Sequence, residues 1–154
     1  MPAETIAIAA DHAGFALKSA LSAELAHLGY EVLDLGTHSM ESVDYPDFAE
    51  AVARAIADNR VERGVLICGT GIGIGMAANR HRAVRAAVCH DVSSARLARR
   101  HNDANVLALG ARLIGEEVAK DCLRAFLETK FEGGRHARRV DKITRYEDHA
   151  QPEA

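Results

Sequence analysis

The sequence predicts an α/β protein: an open five-stranded parallel sheet in a three-layer α/β/α sandwich, with an extra C-terminal helix. Three observations carry this. Five short apolar segments alternate with stretches whose apolar residues recur at helical spacing. The connections between strands are long enough to be helices, as parallel strands require. Finally, the third strand breaks into alternating glycines, Cys68-Gly69-Thr70-Gly71-Ile72-Gly73-Ile74-Gly75, at the kind of strand end where such sheets hold ligands.

The elements follow in order. Residues 5–10 form an apolar strand, and Asp11-His12-Ala13-Gly14 turns into a helix over 15–28 with Leu17, Leu21, Leu25 and Leu28 at helical spacing. Gly29 supplies a left-handed cap, and 31–35 gives the second strand. After a polar loop over 36–44, Tyr45-Pro46-Asp47 opens a helix with proline in its first turn and Phe48, Val52 and Ile56 on its buried face. Arg63-Gly64 leads into the third strand, whose glycines precede a helix-like Met76-Ala77-Ala78-Asn79. Residues 84–89 make a fourth strand, and Asp91-Val92-Ser93-Ser94 caps a basic helix through Arg100. His101-Asn102-Asp103 falls in the following loop, and 105–109 is the fifth strand. Residues 114–129 form an amphipathic helix with Val118, Cys122, Leu123, Phe126 and Leu127 on its apolar side, and a last helix starts after a Gly133-Gly134 hinge. Residues 1–150 read as a single Rossmann-like domain and 151–154 as a frayed tail.

Composition narrows the function classes. The 154 residues are 48% hydrophobic with 3 prolines, enough for one packed core and too few for two ordinary domains. A net charge of -3 gives no global field for nucleic acid or membrane. The basic residues instead cluster locally, at 96–101 and 135–139. Cys68, Cys89 and Cys122 show no paired spacing, which points to reduced thiols rather than a disulfide framework or zinc knuckle. With no basic leader or long apolar run, the cytoplasm is the expected compartment.

Four turns fall at the carboxyl edge of the predicted sheet: Asp11-His12, Cys68-Gly69-Thr70-Gly71, His90-Asp91 and Gly110-Ala111-Arg112. The glycine turn can converge backbone N–H groups on an anion, and a cysteine beside it has surroundings that favour a thiolate. Cys89 and Cys122 fit the ordinary role of small buried residues. A dinucleotide reading stays open, since Gly73, Gly75 and Ala78 match the alanine-ended fingerprint and Asp91 follows at about 20 residues. Against it, those glycines begin beyond the strand end.

Asp11 can cap its helix or, with His12, shuttle protons on a sugar; Asp91 reads as a cap. His101 is awkward, because a helix-to-strand loop lies at the far edge from Cys68 unless a second subunit supplies it. His27, His38 and His149 read as surface residues, and neither paired histidine spacing nor a carboxylate cluster argues for a metal. Arg135 and Arg139, spaced i, i+4, can clamp one phosphate, the plain alternative being a solvated basic face.

Taken together, Ala10-Asp11-His12-Ala13-Gly14-Phe15, Asp44-Tyr45-Pro46, the 67–74 turn, the 100–107 segment and Glu132-Gly133-Gly134-Arg135-His136 resemble ribose 5-phosphate isomerase type B. That family also contains galactose 6-phosphate isomerase subunits and an allose 6-phosphate isomerase. The resemblance implies a homodimeric aldose-ketose isomerase with shared active sites, or a dimer of dimers. It would interconvert ribose 5-phosphate and ribulose 5-phosphate, a step of the pentose phosphate pathway, through a cis-enediol without metal or organic cofactor. It implies Cys68 as the base between C1 and C2, and the Thr70 hydroxyl with the amides of Gly69, Thr70, Gly71, Ile72 and Gly73 as the enediolate cradle. His101 would open the ring, Asp11 would move protons between sugar oxygens, and Tyr45 and Asn102 would position hydroxyls. His12, Arg112, Arg135 and Arg139 would bind phosphate. Members with a glutamate base carry it where this chain has Ile74. Two other readings remain: a hexose 6-phosphate isomerase of the same family, and a nucleotide- or phosphate-binding module without catalysis.

Overall fold

The computed structural model describes residues 2–146. The tail expected at 151–154 and His149, read as a surface residue, lie outside them. The chain runs β1 (Thr5–Ala10), a short 3-10 turn (His12–Gly14), α1 (Phe15–His27), β2 (Glu31–Asp34), α2 (Tyr45–Ala57), β3 (Arg63–Cys68) and α3 (Ile72–Ala78). It continues through β4 (Ala86–Val88), α4 (Val92–Asn102), β5 (Val106–Gly110), α5 (Glu116–Glu128) and α6 (Arg135–Arg145).

All pairings are parallel, and the five strands lie in the order β2-β1-β3-β5-β4. This is the open Rossmann-like sheet that the alternation of elements predicts. Alternate residues face opposite layers. Ile6, Ile8, Val65, Ile67, Leu107 and Leu109 pack with Leu21, Leu25, Leu123 and Phe126 from α1 and α5. Ala7, Ala9, Leu66, Cys68, Val106 and Ala108 pack with Val52, Ile56 and Ile74 from α2 and α3. Both faces are covered, which is why the strands read as unbroken apolar runs. The small residues of the second face let α2 come close; a Cβ on Gly64 would lie 2.6 Å from Val52 Cγ1.

Several boundaries differ from the sequence expectation. The helix after the glycine run starts at Ile72, so Gly73 and Gly75 are helical and only Gly69 and Gly71 form the turn. Their reason is space, since a Cβ on Gly73 would meet the Tyr45 ring at 2.6 Å and one on Gly75 would meet Val88 at 3.0 Å. β4 is shorter than 84–89 because side-chain amides take over at its start: Asn105 Oδ1 accepts from Arg85 N at 2.7 Å and Asn79 Oδ1 from Ala86 N at 2.7 Å. His101 and Asn102 belong to the last turn of α4, with Asp103 as its left-handed cap, rather than to a loop. Val118 is exposed because α5 turns that position off the core, and Leu28 is exposed because α1 ends at His27. Gly29 caps α1 at φ +94, and Asp91 caps α4 by accepting from Ser94 N at 2.6 Å, both as expected.

One charge sits inside the first β-α-β unit. Lys18 on α1 is 2% exposed and donates to both oxygens of Asp34 at the end of β2, at 2.7 and 2.6 Å. Burial disfavours the Asp34 carboxylate, but the bond from Lys18, the Gly36 N–H and the ammonium charge outweigh it and hold the carboxyl below the usual aspartate range. The folded value therefore lies below the unfolded one, so this stabilisation is present above the unfolded value and fades as pH falls below about 4. Asp34→Ala strands a buried ammonium and should cost about 3 kcal/mol in urea unfolding at neutral pH. The same variant should show a flatter loss of stability in acid than the parent.

Candidate active site

Cys68 ends β3 opposite Gly110 of β5 and is 5% exposed. The chain then reverses over its own sulfur: Gly71, at φ +77, donates its N–H to Cys68 Sγ at 3.1 Å. The sulfur thus has a backbone donor as a partner. Thr70 Oγ1 accepts from Ile72 N at 3.2 Å, so the hydroxyl is fixed at the mouth of α3. Two of the five amides of the expected cradle, those of Gly71 and Ile72, are thus turned onto Cys68 and Thr70.

The turn is locked to β5. Ala111 N donates to Cys68 O at 2.9 Å and Arg112 N to Gly69 O at 3.0 Å. A Cβ on Gly110 would lie 2.7 Å from the Thr70 carbonyl, and one on Gly71 would lie 2.9 Å from the Leu109 carbonyl carbon. The Arg112 guanidinium lies beside the turn, its Nη1 3.2 Å from where a Gly69 Cβ would be. Tyr45 closes the other side, against Gly73.

The turn after β1 is held against the same strand. Asp11 N donates to Ile67 O at 3.2 Å, and Gly14 packs where a Cβ would lie 2.8 Å from that oxygen. Asp11 Oδ1 accepts from the amides of Ala13 and Gly14 at 3.0 and 3.2 Å, so this 7%-exposed carboxylate caps the turn. His12 Nδ1 accepts from Val43 N at 3.2 Å. In the neutral ring this leaves the proton on Nε2, a donor for an anionic or hydroxyl oxygen.

Asp11, His12, Tyr45, Cys68, Gly69, Thr70, Gly71, Ile72, Gly73 and Arg112 are thus gathered at the carboxyl edge. The remaining predicted residues are not. α4 runs back from the carboxyl end of β4 to the amino end of β5, which carries His101 and Asn102 to the opposite edge. Arg135 and Arg139 join them there, because Glu132 N donates to Arg100 O at 3.0 Å and the His136 ring stacks on His101 with centroids 4.3 Å apart. Glu132 and His136 are the neighbours of His101 that sequence reasoning missed as site residues; only their inclusion in the Glu132-to-His136 motif pointed to them. Among the described residues these three also form a group able to hold a metal, with ligand atoms within 4.8 Å of one another.

The other thiols stay buried and protonated: burial raises the Cys89 value, and it pushes Cys122 up to about 11. Asp91 serves as the α4 cap, and Gly73, Gly75 and Ala78 lie within α3 rather than in a phosphate turn. Neither supports a dinucleotide site.

Residues 6–143 match the family described as Ribose/Galactose Isomerase. The chain belongs to this family. Among its relatives, ribose-5-phosphate isomerase B of Escherichia coli is 51% identical over 92% of this chain and 95% of that protein. D-erythrulose-4-phosphate isomerase of Pectobacterium atrosepticum is 46% identical over 93% of this chain and 95% of its own length. Among solved structures, ribose-5-phosphate isomerase B of Clostridium thermocellum superposes with a TM-score of 0.93 at 49% identity, covering 96% of this chain and 99% of that one. The isomerase therefore carries its cysteine turn on the scaffold of its family. No helix among the described residues is long and apolar enough to cross a membrane.

Gly110→Ala in this isomerase should push the Thr70 backbone away from Cys68 and lower kcat about 100-fold, the scale of a 1 Å misplacement. Steady-state rates read alongside thermal unfolding would separate that effect from a loss of fold.

Proposed function

We propose that the chain interconverts D-ribose 5-phosphate and D-ribulose 5-phosphate, with Cys68 as the base. The observation that carries this reading is the Cys68 thiol at the end of β3, under the Gly71 N–H, in a member of a sugar isomerase family. With the open-chain aldose bound, the Cys68 thiolate takes the proton from C2. The electron pair of that C–H bond forms the C1–C2 double bond, and the carbonyl oxygen on C1 takes the negative charge of the enediolate. Return of the proton to C1 leaves the ketone at C2, and Asp11 passes the hydroxyl proton between the two oxygens. The Thr70 hydroxyl and the amides of Gly69, Thr70 and Gly73 stabilise the enediolate, while those of Gly71 and Ile72 hold the sulfur and the Thr70 oxygen in place.

His101 opens the furanose ring, Asn102 and Tyr45 position hydroxyls, and Arg135, Arg139, His12 and Arg112 bind the phosphate. Since His101 and Cys68 lie at opposite sheet edges of one chain, the working site is composite: the carboxyl edge of one protomer faces the α4–α6 edge of its partner in a homodimer. No cofactor takes part in this scheme, and residues 1–150 act as one domain.

A second reading concerns the sugar alone. A 46%-identical relative is named for erythrulose 4-phosphate rather than for ribose 5-phosphate. Initial rates on ribose, erythrulose, allose and galactose phosphates decide it; the ribose ester should have the highest kcat/KM.

Cys68→Ala should abolish exchange of the C2 proton with solvent while the variant still binds ribose 5-phosphate, as followed by NMR in deuterium oxide; retained exchange would remove the base assignment. Mixing inactive Cys68→Ala and His101→Ala proteins after dissociation should restore activity, because each hybrid dimer then has one intact site. No recovery in confirmed hybrids would show that His101 and Cys68 do not meet across subunits.

A further inference from the structure

The His101–Glu132–His136 group sets beside His101 a carboxylate and a second imidazole to which the scheme above gives no role. Two imidazoles and a carboxylate come from the last turn of α4, the loop before α6 and the first turn of α6. The backbone ties these elements together through Glu132 N to Arg100 O at 3.0 Å and His136 N to Gly133 O at 3.1 Å. His101 Nε2 lies 4.0 Å from Glu132 Oε2, and the two rings stack within 11° of parallel. Both the His101 and Glu132 side chains are about two-fifths exposed, at 40% and 44%, so they have room to turn towards a common centre.

We propose that His101, Glu132 and His136 chelate a borderline divalent transition cation of the Zn²⁺ class, with the remaining coordination open to water or to a substrate oxygen. Two nitrogens and one oxygen suit such an ion, whereas Mg²⁺ or Ca²⁺ would find a single carboxylate and no oxygen cage. Imidazole must be neutral to bind. The arginines of α6 repel a cation, so affinity must come from the ligand bonds rather than from the local field. The consequence rests on the ring-opening role proposed for His101: a bound ion takes its lone pair, and the isomerase is inhibited.

The test uses the full-length protein in a non-chelating buffer. Calorimetric titration with ZnCl₂ should show one site per chain that MgCl₂ does not fill. Glu132→Gln and His136→Gln should each weaken it at least about 10-fold, the lower end of losses at perturbed metal sites. Co²⁺ should give visible d–d bands without a sulfur-to-cobalt charge-transfer band. Zinc binding with wild-type affinity in both variants, or no binding at all, would overturn the proposal; so would a thiolate band lost in Cys68→Ala, which would place the ion on Cys68. Zinc bound at the three residues without inhibition would uphold the site and instead remove the ring-opening role of His101.

Discussion

Everything at the carboxyl edge depends on two strand ends lying closer together than side chains allow. β3 and β5 pair through Cys68 and Gly110, and the chain leaving β3 folds back over β5 so tightly that Gly110 and Gly71 have no space for a Cβ. That contact decides where the Gly71 N–H points, and so it decides that a thiol at the end of a buried strand meets a hydrogen-bond donor rather than more hydrocarbon. The sheet around it is generic. Its apolar residues would support many chemistries, and the close approach at one register position distinguishes this edge.

Local patterns in the chain were legible and long-range ones were not. Helix and strand periodicity, the Gly29 and Asp91 caps and the first-turn proline at Pro46 all act within a few residues, so the sequence shows them directly. The glycine run misled because glycine has two uses. Gly71 needs its positive φ, whereas Gly73 and Gly75 are glycines only because Tyr45 and Val88, distant in sequence, pack against α3. The end of α4 was misread for a related reason: its left-handed residue is Asp103 rather than a glycine, so the chain carries no conventional stop signal before His101 and Asn102. Val118 looked apolar enough for the core, yet the face of α5 that meets the sheet is fixed by Cys122, Leu123 and Phe126.

The site divides along the same line. The placement of Cys68 at a strand end before a glycine turn could be read from one stretch of fifteen or so residues, because a strand-turn-helix unit is local. The partnership of His101 with Glu132 and His136 could not, since it is made by α6 returning across α4. The carboxyl edge gathers the Cys68 thiol, the capped Asp11 carboxylate, the His12 imidazole and the Arg112 guanidinium, and the α4–α6 edge gathers His101, Glu132, His136, Arg135 and Arg139. The composite site proposed above would join the two sets.

Asn79 has an effect beyond the end of α3. Its side-chain amide donates to Ala86 O at 2.9 Å and accepts from Ala86 N at 2.7 Å, which is what the peptide group of a further strand would do. β4 is the last strand in the order and pairs with β5 on its inner side, a pairing that continues just past its end where Cys89 N donates to Ala108 O at 3.1 Å. The outward-facing groups of Ala86 are those that a sixth strand, or the open sheet of another chain, would need. A single asparagine thus stops the sheet from propagating on that side, a guard against edge-to-edge aggregation made of one residue.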